Sequence, residues 1–387
     1  MLRMRSKILH VIDHTESGGA QAVVHYLIRL LRDQFSFGVA VMGRSGYYSE
    51  AYRALGVAVY ELGLSQSRWS PAPVLPLIRS IREEGYDLIH AHLFRSALLA
   101  AAAARWTGRK VILHDHSDAH PRALEQRADF SRIPLRTAYV TAYRYALARC
   151  DRAIVLTQAT SDAYVRSFSV DPGKVIVLPN AVNPKELRAA INRAQPGCLR
   201  RELGLPSGTR LVLMVGRLEA EKDWWTFIEV ARRVRRVLRS PCTFVAAGSG
   251  SQEAQLRACA RDLGPDGVKF LGHRNDVPAL LSQADVFLLT SRRESFGIAV
   301  LEAMAAGCAV VATRSGGPDA IITHGVDGLL ANVGDVLDLA DDVVRLLSDG
   351  AFRSQLAQGA LRTVSDRYTV EAVCARMASV YREVLSE

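Results

Sequence analysis

The amino-acid sequence predicts an α/β fold of two Rossmann-like βαβ domains facing one interdomain cleft. Three observations lead there. Short β-rich apolar runs alternate with helical patterns along most of the chain, as parallel βαβ units require. The arrangement occurs twice, with a proline-punctuated stretch between the halves. A length of 387 residues suits two or three domains, each able to bury its own core.

In the first half, strands are expected at Lys7–Asp13, Phe37–Met42, Val57–Leu62, Asp87–His92, Lys110–Asp115 and Ala153–Thr157. Helical patterns lie between them, as in AQAVVHYLIRLLRD from Ala20 to Asp33. The stretch Val177–Gly197 carries Pro179, Pro184 and Pro196 and reads as the crossing between domains 1–182 and 183–366. In the second half, strands are expected at Leu211–Gly216, Thr243–Gly248, Val268–Gly272, Asp285–Thr290 and Ala309–Thr313. A last helical segment, Val370–Leu385, belongs to a terminal piece at 367–387.

Composition narrows the function classes. A chain 49% hydrophobic and 23% charged is ordinary for a soluble globular protein. No apolar stretch approaches the roughly 20 residues of a membrane span; the longest, Ala97–Ala104, ends at Arg105. The N-terminus runs into a strand with no signal-peptide apolar region. Six scattered cysteines without a C-x-x-C predict reduced thiols and a cytoplasmic location, not a disulfide framework or zinc site. The net charge of +10 favours an anionic partner: nucleotide, membrane lipid or nucleic acid. No nucleic-acid recognition motif is present, so that partner is not expected. The run Ala231–Ser240 is expected to place Arg232, Arg233, Arg235, Arg236 and Arg239 on an exposed helical face. The stretch Pro121–Arg149 interleaves Arg122, Arg127, Arg132, Arg136 and Arg144 with Phe130, Tyr139, Tyr143 and Tyr145. Such a segment suits peripheral contact with an anionic membrane; a helix with one half-buried face is the alternative.

The chemistry concentrates at strand ends. In ESFGIAVLE, Glu294 lies on the loop after an apolar strand, and Glu302 lies about one turn into the helix that follows. Such loops open where α/β sheets bind ligands, and the helix N-terminus offers free N–H groups to an anion. Two acceptor carboxylates beside an anion site suit a ligand with hydroxyls and phosphate, such as a nucleotide sugar. Arg217 and Lys222 follow another strand end, where two cations would stabilise charge developing on a diphosphate leaving group. Arg274, after Val268–Gly272, is placed to flank a base. Gly18 and Gly19 let the backbone approach a ligand closely, but TESGGAQ is not a complete G-x-G-x-x-G, which disfavours a nicotinamide site. Histidines cluster at His90 and His92, then His114, His116 and His120. Strand alternation accounts for each H-x-H pair and no cysteine partners follow, so zinc is disfavoured. No D-x-D occurs, so no metal clamp on a diphosphate is expected; Arg217 and Lys222 take that place.

Taken jointly, KILHVIDHTESGGAQ, RLVLMVGRLEAEKD, ESFGIAVLE, CAVVATRSGG and GVDGLLAN resemble the family 4 glycosyltransferases, whose fold is called GT-B, over most of the chain. The resemblance implies a retaining enzyme that moves a sugar from a nucleoside diphosphate donor, UDP or GDP, to a glycan or lipid-linked acceptor without a metal or other cofactor. It implies that Glu294 contacts donor-sugar hydroxyls, Glu302 holds the ribose, and the N–H groups near Phe296, Gly297 and Ile298 face the phosphates. The family's R-x4-K pair maps to Arg217 and Lys222; its usual glycine after the lysine is Asp223 here. Gly18 and Gly19 match its GGAE loop, with Gln21 in place of Glu. His116, followed by Ser117, matches a histidine near the reacting sugar, while His92 lines the acceptor side or is structural. The N-terminal domain would hold the acceptor, domain closure would bring Gly19 and His116 towards Arg217, Lys222 and Glu294, and the terminal helix would pack back on the first domain. Two rivals stand beside this reading: a nucleotide-sugar epimerase of the same architecture, and a basic non-catalytic binding protein whose salt-sensitive binding survives loss of Glu294.

Overall fold

The computed structural model describes residues 5–16, 18–63, 71–116, 133–206 and 208–387. The chain divides into two compact units, Met1–Asn180 with Val370–Glu387, and Ala181–Thr369. Each is built on one parallel sheet, so the α/β class predicted by strand–helix alternation is what forms.

The first unit contains β1 (Lys7–Ile12), β2 (Ser36–Val41), β3 (Ala58–Glu61), β4 (Leu88–His92), β5 (Lys110–His114), β6 (Arg152–Val155) and β7 (Val175–Val177). They lie in the order β3-β2-β1-β4-β5-β6-β7. Period-two alternation sends residues to two different cores. Leu9, Ile89, Val111 and Leu113 pack with the helices Val74–Glu84 and Phe94–Thr107. Ile8, Leu88, Ile112 and Ile154 pack on the opposite face with Leu27 and Leu31. The terminal helix Val370–Ser386 lies on that second face, burying Cys374, Met377, Tyr381 and Val384, and Arg152 ties it down through Glu383 at 2.5 Å.

The alanine-rich stretch is a buried helix, Phe94–Thr107, whose small side chains let its neighbours approach closely. No described helix is long and apolar enough to cross a membrane. Within the interfacial reading of 121–149, the places of Tyr139 and Tyr143 need correction. In the helix Ile133–Arg149, Tyr139 and Tyr143 are core residues: Tyr139 stacks on Phe94 at 3.7 Å, and the Tyr143 hydroxyl accepts from Tyr164. Tyr145 is 41% exposed, with the Arg149 guanidinium over its ring. Ser117, His120, Arg122, Arg127, Phe130, Arg132 and the side chain of Arg136 lie outside the described residues.

The second unit contains β8 (Arg210–Val215), β9 (Cys242–Ala247), β10 (Val268–Gly272), β11 (Val286–Leu289), β12 (Ala309–Thr313) and β13 (Leu329–Ala331), in the order β10-β9-β8-β11-β12-β13. The edge strands β7 and β13 are three residues each, too short to show a period in sequence. The stretch 177–197 holds a helix, Pro184–Arg193, capped by the Asn183 side chain on the N–H groups of Lys185 and Glu186. The arginine run is also corrected. The helix Trp224–Val237 ends before Arg239, and two of its arginines are not solvated: Arg232 grips Asp262 and Glu229, and Arg235 donates to the carbonyls of Cys242 and Asp266.

One device recurs in both units. An aspartate just before a strand accepts the first or second N–H of a neighbouring strand: Asp87 from Lys7, Asp151 from Val111 and Asp285 from Leu211, at 2.7–2.9 Å. These carboxylates occupy donors that the ladder leaves unpaired at the strand entry.

Candidate functional site

In the second sheet the strand order reverses between β8 and β11. Connections leave to opposite faces there, opening a crevice beyond the carboxyl ends of the strands. Both charged motifs sit at that point. The loop after β8 carries Arg217 and ends in the short 3₁₀ turn Ala220–Lys222, and the loop after β11 carries Glu294.

The structure brings Lys222 and Glu294 together. Lys222 Nζ lies 2.5 Å from Glu294 Oε1, and Ser291 Oγ donates to the same oxygen at 2.8 Å. The backbone of Glu294 is fixed as well. Its N–H donates to the Ser315 carbonyl and its carbonyl accepts from Gly317, both at 2.8 Å, bridging it to the loop after β12. Arg217 is 72% exposed and pairs with Glu221, so a cation at the crevice mouth is held only by a surface partner.

Asp223 is a buried residue in the left-handed region, at φ 49°. Its carboxylate accepts from the Thr226 hydroxyl at 3.0 Å at the start of the helix Trp224–Val237, and from Arg292 Nε at 3.1 Å. The carboxylate that replaces glycine is thereby drawn into a helix cap and an ion pair.

Phe296 is buried and sets its ring edge-on to Tyr368. Gly297 has φ 96°, the left-handed turn that aims the helix Ile298–Ala305. The first N–H groups of that helix have no partners within it. Glu302 lies on the same helix with no donor paired to its carboxylate among the described residues, and burial pushes its pKa up to about 7. A half-buried carboxylate lacking donors can accept two from a diol. Arg274 is engaged elsewhere: Glu202 lies 2.5 Å and Asp276 2.7 Å from its guanidinium, so a base would have to compete with two carboxylates.

Sequence reasoning missed the loop after β9. A Cβ on Gly248, at φ 149°, would lie 1.8 Å from the Gly216 carbonyl. Leu218 donates to the Ser249 carbonyl at 2.9 Å, and Glu219 accepts from the Ser251 N–H at 2.9 Å and its hydroxyl at 2.7 Å. The Gly-Ser-Gly-Ser run after an apolar strand was the available signal.

In the first unit, Gly18 caps the helix Gly19–Leu31, and the buried Gln21 amide turns back onto the His14 carbonyl at 3.0 Å. His116 follows β5; its Nε2 lies 3.0 Å from His92 Nδ1. Burial lowers the His116 pKa to about 4, against the opposing pull of Asp115, so the ring is neutral near pH 7 and acts by hydrogen bonding, not by charge. His92 is fully buried between His10 and His116, so it is a member of a histidine cluster and not an open surface of the crevice.

Comparison with known proteins follows this geometry. Residues 198–363 match the family described as glycosyl transferases group 1, and residues 17–186 match glycosyltransferase family 4. The chain is 28% identical over 352 residues to an Escherichia coli UDP-Gal:alpha-D-GlcNAc-diphosphoundecaprenol alpha-1,3-galactosyltransferase, covering 89% of this chain and 88% of the relative. It is 31% identical over 314 residues to the D-inositol 3-phosphate glycosyltransferase of Salinispora arenicola, covering 78% of this chain and 69% of the relative. In fold it is similar to Anabaena HepE, solved in complex with UDP and glucose, with a TM-score of 0.80 and 23% identity over 98% of this chain and all of that one (100%). Two parallel sheets with charged loops at the β8–β11 reversal, and relatives spanning most of the chain, place it plainly: this protein is a glycosyltransferase of the GT-B fold and belongs to glycosyltransferase family 4.

Proposed function

We propose that the enzyme transfers a hexosyl group, with retention and without a metal, from a UDP-sugar to a glycan or lipid-linked acceptor, with GDP as the alternative nucleotide. The observation that carries the reading is the Lys222–Glu294 contact at the sheet's reversal point, beside the exposed Arg217. Arg217 and Lys222 would neutralise the departing diphosphate, which removes the need for a metal clamp. Glu294 would accept from sugar hydroxyls, Glu302 from the ribose diol, and the N–H groups at Phe296, Gly297 and Ile298 would meet the phosphates. His116 would hydrogen-bond the sugar as a neutral imidazole, and Gly18 and Gly19 would let the backbone of the first unit approach the substrates.

The step balances without a protein nucleophile. The anomeric carbon–phosphate oxygen bond breaks and its electron pair leaves with the nucleoside diphosphate. The acceptor oxygen bonds to the same face of the anomeric carbon, and its proton passes to the leaving phosphate. Glu294 keeps its role in hydroxyl contacts here, with Lys222 and Ser291 holding one of its oxygens.

The named substrates of the relatives support a UDP-sugar and a lipid diphosphate acceptor, and the +10 net charge suits peripheral work at an anionic, inner membrane face. The decisive experiment is nucleotide release from UDP-, GDP-, ADP- and TDP-sugars with a lipid extract, first in EDTA and then with Mg²⁺ or Mn²⁺ restored. Release from one UDP-sugar in EDTA, absent in an Arg217→Ala, Glu294→Ala double variant, is expected. Activity only with restored Mg²⁺ or Mn²⁺ would overturn the metal-free part. Flotation with anionic liposomes at low salt tests the membrane contact; protein left at the bottom of the gradient would remove it.

A further inference from the structure

Strands β1, β4 and β5 bring together histidines that are far apart in sequence. His10 stands opposite His90 in the β1–β4 register, and His92 opposite His114 in the β4–β5 register. Alternation explains each H-x-H pair, but not why β1 adds a histidine to the same face. All three of His10, His90 and His92 are fully buried beneath the terminal helix, whose Tyr381 hydroxyl lies 2.7 Å from His90 Nδ1.

We propose that His10, His90 and His92 form a binding site for one transition-metal ion of the zinc class, built wholly within the first unit. Each offers a ring nitrogen within 4.8 Å of the others. The Nε2 atoms of His10 and His90 are buried without a hydrogen-bond partner. Unpartnered buried nitrogens are rare in folded proteins, and the one on His90, across the ring from its Tyr381 contact, marks a place for a ligand. His92 Nε2 now lies 2.9 Å from His10 Nδ1, the contact a metal would replace.

The outer partners are those a metal site uses. Tyr381 holds the far nitrogen of His90, and His116 holds the far nitrogen of His92 at 3.0 Å, fixing two rings from behind. The donor set is imidazole alone. That chemistry suits Zn²⁺, Ni²⁺ or Cu²⁺ and excludes Ca²⁺ and Mg²⁺, which need oxygen ligands. The neighbouring trio His92, His114 and His116 also falls within 4.8 Å, but its His116 is only partly buried and lacks the outer support of Tyr381.

The test uses the full chain without a histidine tag, loaded with Zn²⁺ or with Co²⁺, desalted, and assayed for retained metal. Wild type is expected to keep about one ion per chain, with visible d–d absorption for Co²⁺. His10→Gln and His90→Gln are each expected to lower retention at least about tenfold, and Tyr381→Phe to weaken affinity by about tenfold while keeping the absorption. His324→Gln, in the second unit, is expected to change nothing. Should His90→Gln fail to fold, His10→Gln and Tyr381→Phe still decide the matter. Wild type that retains no metal, retention unchanged in His10→Gln, or loss confined to His114→Gln would each overturn the proposal. The thermal shift produced by UDP, read on the same variants, is expected to stay at the wild-type value, which separates this outcome from the donor-site reading.

Discussion

Lys222 Nζ and Glu294 Oε1 meet at 2.5 Å across the reversal point of the second sheet, with 18% and 11% of their side chains exposed. The ion pair joins the loops after β8 and β11, so a donor must part or share it. Removing either partner leaves the other charge half-buried and uncompensated. Lys222→Ala is expected to lower kcat by about 10²–10³-fold. Glu294→Ala should fall similarly, and the double variant should lose less than the product, because the two groups act as a unit. Initial rates of nucleotide release at saturating donor check this; multiplicative losses would show that the two act independently.

Glu302 sets a pH dependence. Burial raises its pKa from 4.5 to about 7, and the ionised carboxylate is the stronger acceptor for the two hydroxyls of a diol. Donor affinity is expected to rise between pH 6 and 8 (bounds set about one unit around that pKa) and to be weak and flat in Glu302→Gln. Calorimetric titration of the nucleotide across that window reads the difference.

The same shift has the opposite sign for stability. A carboxyl whose folded pKa is raised binds more protons folded than unfolded. Its contribution is present below about pH 4.5 and is lost as pH rises through about 7. Above pH 7, Glu302→Gln should therefore be more stable than wild type by roughly 1–3 kcal/mol, measured by urea unfolding. Equal stability of the two proteins at high pH would show that the carboxylate finds solvent or a partner when ionised.

Asp223 separates backbone strain from capping. Asp223→Gly relieves the φ of 49° while losing the carboxylate that holds Thr226 and Arg292, and should change stability by only a few tenths of a kcal/mol. Asp223→Ala keeps the strain and loses the cap, and should cost about 1–2 kcal/mol. Thermal unfolding of both variants ranks them; an alanine variant as stable as the glycine one would place no weight on the backbone conformation.

Gly248 couples the loop after β9 to the Arg217 loop. A Cβ there would press on the Gly216 carbonyl, 1.8 Å away and immediately before Arg217. Gly248→Ala is expected to destabilise by roughly 1–3 kcal/mol and to weaken nucleotide binding. A UDP thermal shift of wild-type size in a folded Gly248→Ala protein would show that the loop is not positioned this way.

Much of this was legible because it is local. Strand–helix alternation is read from one short segment to the next, and the R-x4-K spacing of Arg217 and Lys222 and the E-x7-E spacing of Glu294 and Glu302 are each contained within a dozen residues. What failed also failed for physical reasons. Tyr139 and Tyr143 looked interfacial beside their arginines, yet Phe94 and Tyr164, remote in sequence, bury them. Arg232 looked solvated in an arginine run, but Asp262 comes from a later turn. Edge strands of three residues, Val175–Val177 and Leu329–Ala331, form because a neighbouring strand presents a ladder.

The sequence by itself determined the two-sheet α/β architecture and which strand ends carry charge, since period-two burial and glycine-bearing loops are written residue by residue. Only the tertiary structure decided which of those ends meet. The order β10-β9-β8-β11 sets Lys222 against Glu294, 72 positions away, and the order β1-β4-β5 gathers His10, His90 and His92 under Tyr381. Strand order is a property of how the whole chain packs, and local periodicity carries no record of it.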